Sequence, residues 1–314
     1  MNVTVRQFQQ FESTPEYAAL RAALASNLWD PVESQLRTFP FDQLGYALVS
    51  LGQVTGIEEF LQYAINNHPH SPFARTAMAA RSIMLGWDAR SSAEDISDEQ
   101  FAAFQLWLNS AEQHLITVCA QNPGFAPAWS LRVITARGLQ VGESEARRRY
   151  RRLSELSPND YPAQAQLLQY LLPKWFGSWE AAIAFARECA GAAPPGSNSA
   201  ALIPLLHIER WLSLGGGKPG KAYMAAPDVY SELQEAASRS VLHPSHRLDP
   251  IGVEARSAFA MAFYVGGKFA EADPHIQALG DRATEFPWSY ATPTVDDLNR
   301  AYKLITDGAA KGRR

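Results

Sequence analysis

Residues 145–164 read EARRRYRRLSELSPNDYPAQ. The same order of residue classes stands 35 positions earlier in SAEQHLITVCAQNPGFAPAW (110–129) and 35 later in EAAIAFARECAGAAPPGSNS (180–199). Alanines fall at Ala111, Ala146 and Ala181. Large apolar residues follow four positions on at Leu115, Tyr150 and Phe185, and prolines close the segments at Pro123, Pro158 and Pro194. On a helix a small residue lets a second helix approach. A bulky one a turn later fills the space beside it, and proline ends the run. The spacing therefore predicts three helix hairpins in series.

Trp129, Ala146, Tyr150 and Pro158 stand where the tetratricopeptide repeat carries Trp, Ala-x3-Phe and Pro, so the chain resembles that family. Arg132 and Val133 depart from its Leu-Gly, and Ala136 from its Tyr. GKFAEADPHI (267–276) reads as the start of another repeat helix, and GIEEFLQYAINNHP (56–69) ends in the same helix-then-proline manner. Almost no segment alternates with the period of a strand. The resemblance implies an all-α fold: helix-hairpin repeats stacked as a tetratricopeptide-like α-solenoid. It implies one domain over residues 1–314, with capping helices in 1–55, irregular repeats in 56–285, and a C-terminal cap and frayed tail in 286–314. A Pro-Lys-Trp-x-Gly-Ser corner at residues 173–178 is similar to one in bacterial repeat-like proteins of unassigned function.

The 314 residues carry a net charge of −4 and eight tryptophans, with a pI near 6.0. That balance gives no global attraction to nucleic acid. The N-terminus lacks a basic segment followed by an apolar run, and no apolar stretch reaches 18 residues, so a soluble chain without membrane contact is expected. Cys119 and Cys189 support neither a disulfide framework nor a four-ligand zinc site, and a reducing cytoplasm is the expected home.

Several motifs tempt a chemical reading. GGGKPGKA (215–222) nearly spells a phosphate-binding loop, but Ala222 stands where the magnesium-binding hydroxyl belongs, and helical sequence precedes it where a strand is needed. ARRRYRR (146–152) spreads five arginines over one arc, which reads as a solvated basic face. HPSHRLD (243–249) offers His243, His246 and Asp249, but a loop fixes no common face for a metal. His68 and His70 carry less signal still. The cysteines read as buried thiols at helix ends. No metal, cofactor or catalytic nucleophile is expected.

LIPLLHIERWLSL (202–214) is the stronger candidate. Leu202, Leu205, Ile208 and Leu212 form an apolar stripe on a helix, with His207, Arg210 and Trp211 opposite. Arginine pairs with a carboxylate and tryptophan offers a ring platform, so these three suit a carboxylate-bearing peptide in a concave groove. Glu209 lies at the margin of the stripe and needs a partner, Arg210 or Arg187. Arg137 and Gln169 hold equivalent places in the preceding repeats and extend the same groove. Gly177, Ser178 and Trp179 make an ordinary repeat turn, which leaves Trp175 as an insertion that wedges between hairpins or projects as an anchor.

The sequence thus points to a non-catalytic scaffold that binds a peptide or protein through Arg137, Gln169, Trp175, His207, Arg210 and Trp211. The alternative is a small-molecule enzyme or ligand-binding protein with a pocket around His207, Glu209, Trp211 and Trp175, where His207 and Glu209 would serve as acid and base.

Overall fold

The computed structural model describes residues 15–90, 96–175 and 177–312, which hold sixteen α-helices and no β-strand. The all-α expectation holds. The helices gather into two compact units, one over the described residues of 15–177 and the other over residues 178–312.

The N-terminal unit contains α1 (Pro15–Ala25), α2 (Trp29–Leu36), α3 (Phe41–Gly52), α4 (Glu58–Asn67), α5 (Pro72–Arg90), α6 (Asp98–Gln121), α7 (Ala126–Gly138), α8 (Glu143–Ser154) and α9 (Tyr161–Leu171). Most helices pack on a sequence neighbour or next but one, α3 and α6 on α5, α7 on α6, α8 and α9 on α7, while α3 also meets α7 and α2 meets α5. That nearest-neighbour order is how helical repeats bury their faces. Ser97 starts α6 with a full capping box, its hydroxyl accepting from the Gln100 N–H while the Gln100 side chain accepts from Ser97 N. α6 and α8 stop two and four residues short of Pro123 and Pro158. Trp129 donates from Nε1 to the Pro123 carbonyl at 3.1 Å, which pins the turn to the next helix.

The repeat signature reaches the core unevenly. Ala111, Leu115 and Ala146 are wholly buried, while Tyr150 is half-buried and accepts from Gln164 Nε2 at 3.1 Å. The basic helix departs from the solvated-face reading at one position. Arg149 lies on the buried side of α8 with Ala146 and Leu153. It meets buried Glu112 of α6 at 3.0 Å and Glu145 at 2.8 Å. Arg132, the residue that replaces the repeat's leucine, is buried too and holds Glu112 at 2.7 Å, while the Thr135 hydroxyl donates to the other oxygen of Glu112 at 2.7 Å. A buried arginine needs a carboxylate, and Glu112 supplies one to both.

The C-terminal unit contains α10 (Trp179–Ala192), a 3-10 turn (Asn198–Ala201), α11 (Leu202–Ser213), α12 (Lys218–Met224), α13 (Pro227–Arg239), α14 (Pro250–Val265), α15 (Phe269–Leu279), a second 3-10 turn (Trp288–Tyr290) and α16 (Val295–Gly312). α10 packs on α11, α11 on α14, α14 on α15, and α15 on α16. In α10 the buried small residues are Ala182 and Ala186, beside Phe185. Ala181 is half-exposed, so this copy of the signature is rotated by one residue. The expected frayed tail is helical to Gly312: Ala309 is wholly buried and Gly308 packs against the Phe269 ring.

Candidate functional site

α11 places the strongest sequence candidates, and it is buried on nearly every side: His207, Glu209 and Trp211 sit at 4%, 3% and 9% exposure. Leu212, expected in the apolar stripe, is exposed. Both ring nitrogens of His207 are occupied. Nδ1 lies 2.7 Å from the Tyr223 hydroxyl of α12, and Nε2 lies 3.2 Å from Glu232 of α13. Glu232 also takes a bidentate pair from Arg187 of α10, at 2.7 and 3.0 Å. These hydrogen bonds, from His207 first and Arg187 next, hold the Glu232 carboxyl down to about 2. With Glu232 ionised, Nε2 carries a proton and donates to it. Burial pushes the Tyr223 phenol up to about 12.

Glu209 accepts from the Tyr290 hydroxyl at 3.1 Å, and Arg187, one of its two expected partners, is engaged by Glu232. The other, Arg210, stacks its guanidinium over the Trp179 ring at 4.7 Å. Arg210 is half-exposed, and no carboxylate among the described residues lies at ion-pairing distance from it. Trp211 packs beneath the glycine-rich stretch: a Cβ on Gly220 would lie 2.8 Å from its ring, and one on Gly216 3.1 Å. Gly215 and Gly216 join α11 to α12 at φ +79 and +67, and Gly216 and, inside α12, Gly220 give room to the indole. Beside Arg187 and Glu232 opens a cleft of about 240 Å³ between α10 and α13, floored by Ala190, Gly191 and Ala236 and closed by Glu235 and Arg239.

The remaining candidates belong to the N-terminal unit. Leu172 takes the extended conformation that a following proline favours, ending α9 before Pro173. Trp175, half-buried, then folds onto the ends of α5 and α7, edge-on to Trp87 at 6.2 Å. Arg137 lies over both indoles at 4.7 and 5.0 Å, and Arg90 over both at 5.7 and 5.4 Å. Arg137 and Trp175 thus share one cation–π box whose other half, Trp87 and Arg90, the sequence reading missed. Gln169 is half-buried on α9. A second cleft, of about 620 Å³, opens where His68 and His70 stand, with Arg37 over the Phe73 ring at 4.7 Å. No spacing rule distinguished these residues from ordinary turn residues.

Among the described residues no group of three or more His, Cys, Asp or Glu could hold a metal ion. His243 meets Ser245 Oγ at 2.8 Å, His246 meets the Gly196 carbonyl at 3.3 Å, and Asp249 caps α14. Both cysteines are buried. No described helix is long and apolar enough to cross a membrane. No protein-family model matches the chain, and comparison with curated proteins finds no similar sequence.

Proposed function

We propose that this chain is a non-catalytic binding protein of tetratricopeptide type, which takes a carboxylate-bearing peptide or protein segment on the α10–α11–α13 face of its C-terminal unit. The observation that carries the reading is Arg210. Its guanidinium is held flat on Trp179, and its N–H edge is left to donate. Most other arginines of this face are spoken for: Arg187 pairs with Glu232, and Arg239 donates to the Gly191 carbonyl at 3.1 Å. Stacking pre-orders Arg210, so binding a carboxylate loses little side-chain entropy. The cleft of the same unit lined by Arg187, Ala190, Gly191 and Ala236 suits an extended backbone.

The enzyme alternative draws on the chain Tyr223–His207–Glu232, which has the connectivity of a proton relay. Two features weigh against it. His207 has no ring nitrogen left for a substrate, and Tyr223 at about 12 keeps its proton at neutral pH. Glu209 and Trp211, the other members of that pocket, are buried and engaged within the unit. The two buried thiols suit a reducing compartment, and a cytoplasmic setting belongs to the same proposal.

The test is fluorescence anisotropy with a labelled peptide library synthesised twice, once with free C-terminal carboxylates and acidic side chains and once amidated and neutralised. Binding of acidic members that Arg210→Ala abolishes supports the reading. Equal affinity for both sets, or for both proteins, contradicts it.

A further inference from the structure

One face of α14 carries Gly252, Arg256, Phe259 and Phe263 on successive turns. His246, on the loop before the helix, lies over Gly252, where a Cβ would come within 3.2 Å of its Nε2. His275 of α15 lies over the other end, stacked on Phe259 and Phe263 at 5.8 and 5.7 Å with interplanar angles of 14° and 15°. His275 is 1% exposed. Three polar atoms along this face are buried and have no hydrogen-bond partner among the described residues: His246 Nε2, Arg256 Nε and His275 Nδ1. An orphaned buried polar group costs about 1–3 kcal/mol, so three beside one helix face call for a shared partner.

The charge of that partner follows from its surroundings. Arg256 donates from Nη2 to the Val241 carbonyl, and Arg282 donates to the carbonyls of Leu248, Ala278 and Leu279. Neither has a carboxylate at ion-pairing distance among the described residues, in contrast to Arg132, Arg149 and Arg187. Burial and then Arg282 lower the Arg256 pKa, a sign that its charge is poorly compensated. Asp249, the carboxylate that caps α14, accepts from the Gly252 N–H at 2.9 Å and lies 3.9 Å from Arg247. Two guanidinium groups exclude a metal cation and favour an anion with several acceptor oxygens.

We propose that the His246–Arg256–His275 face of α14 binds a small oxyanion, with Arg282 supplying further positive charge. The His246 Nδ1 faces a carbonyl oxygen, which only accepts, so Nδ1 carries the proton of the neutral ring and Nε2 a lone pair. Oxyanion binding therefore brings a proton to Nε2. Burial opposes that proton first, the Gly196 carbonyl and Asp249 favour it, and Arg256 opposes it. His275, held neutral by burial, adds no charge. Arg282 is the other cation packed on this side, and His243 and Arg247 stand on the same loop. The ligand enters from the loop, where Pro244, Ser245 and Arg247 are exposed.

The experiment is an NMR titration of the histidine ring signals of the full chain, with sulfate and acetate in separate arms and chloride as the ionic-strength control. Sulfate keeps its charge between pH 6 and 8, so its arm isolates the protein's proton, and the two arms separate a tetrahedral oxyanion from a carboxylate. The site predicts saturable shifts of His246 and His275 alone. Affinity should weaken toward about tenfold per pH unit once His246 must be charged by binding. Arg256→Gln, folded by circular dichroism, should lose the effect. Should that variant fail to fold, the wild-type titration decides. Absence of saturable shifts in both arms, or shifts identical in chloride, overturns the proposal, as does retention in folded Arg256→Gln.

Discussion

Glu112 shows how much can rest on one side chain. Arg132, Arg149 and Thr135 all bond to its carboxylate in the N-terminal unit's interior. Removing it leaves buried Arg132 without a carboxylate and Arg149 with Glu145 alone. Glu112→Ala is therefore expected to lower stability by about 3–5 kcal/mol, read from denaturant midpoints, whereas Glu143→Ala, in an exposed pair with Arg147, should cost under about 1 kcal/mol. None of this was legible in ARRRYRR. Helical geometry places five arginines on an arc, but which of them turns inward depends on a carboxylate 37 residues away. A second residue-scale consequence concerns pH. Burial, with the charges of Arg256 and His246, pushes His275 down to about 3. The unfolded chain takes a proton near 6.5 that the folded chain refuses. The contribution of His275 to stability is thus complete above about pH 6.5 and is lost as pH falls from there toward 3. His275→Phe should flatten that part of the pH profile in urea unfolding, measured without oxyanions. An unchanged slope would contradict it.

At the scale of elements, helix spacing is governed by where a side chain is missing. Gly52, at the end of α3, lies so close to α5 that a Cβ would stand 2.7 Å from the Ala80 carbonyl carbon, and backbone cannot step aside. Gly45, two turns earlier in α3, has nothing within 4 Å of its Cβ position. Gly52→Ala should cost about 1–3 kcal/mol through overpacking, while Gly45→Ala should stabilise by up to about 1 kcal/mol through helix propensity. Differential scanning calorimetry of the two variants reads opposite shifts in Tm. Helix existence was legible here because capping residues, closing prolines and small-then-large spacing act within a turn or two. The Ser97 box and the stops before Pro123 and Pro158 follow from neighbours alone. Rotation of a helix face was not. Ala182 replaces Ala181 in the core of α10 because the packing partner, rather than the 35-residue spacing, selects the buried face.

For the whole molecule, 28 basic and 32 acidic residues leave a net charge of −4, so the proposed recognition of an acidic partner would have to come from local placement rather than from the overall field. Arginines left without a carboxylate are what distinguish candidate sites from structural ion pairs, and that difference is invisible in composition. The sequence singled out α11, and within it Arg210 stays available while His207, Glu209 and Trp211 turn inward. The proposed binding through Arg210 would be an electrostatic contact at a half-exposed cation, so it should weaken as salt rises. The most direct test of the binding role is an anisotropy titration of one acidic, carboxylate-ended peptide from the library against wild type, Arg210→Ala and Arg210→Lys at low and moderate salt. Saturable binding to wild type that salt weakens is expected, with a loss of tenfold or more in Arg210→Ala by the scale of a charged hydrogen bond, roughly 1.5–3 kcal/mol, and partial recovery in Arg210→Lys. Affinity indifferent to salt and to both substitutions would contradict the binding role.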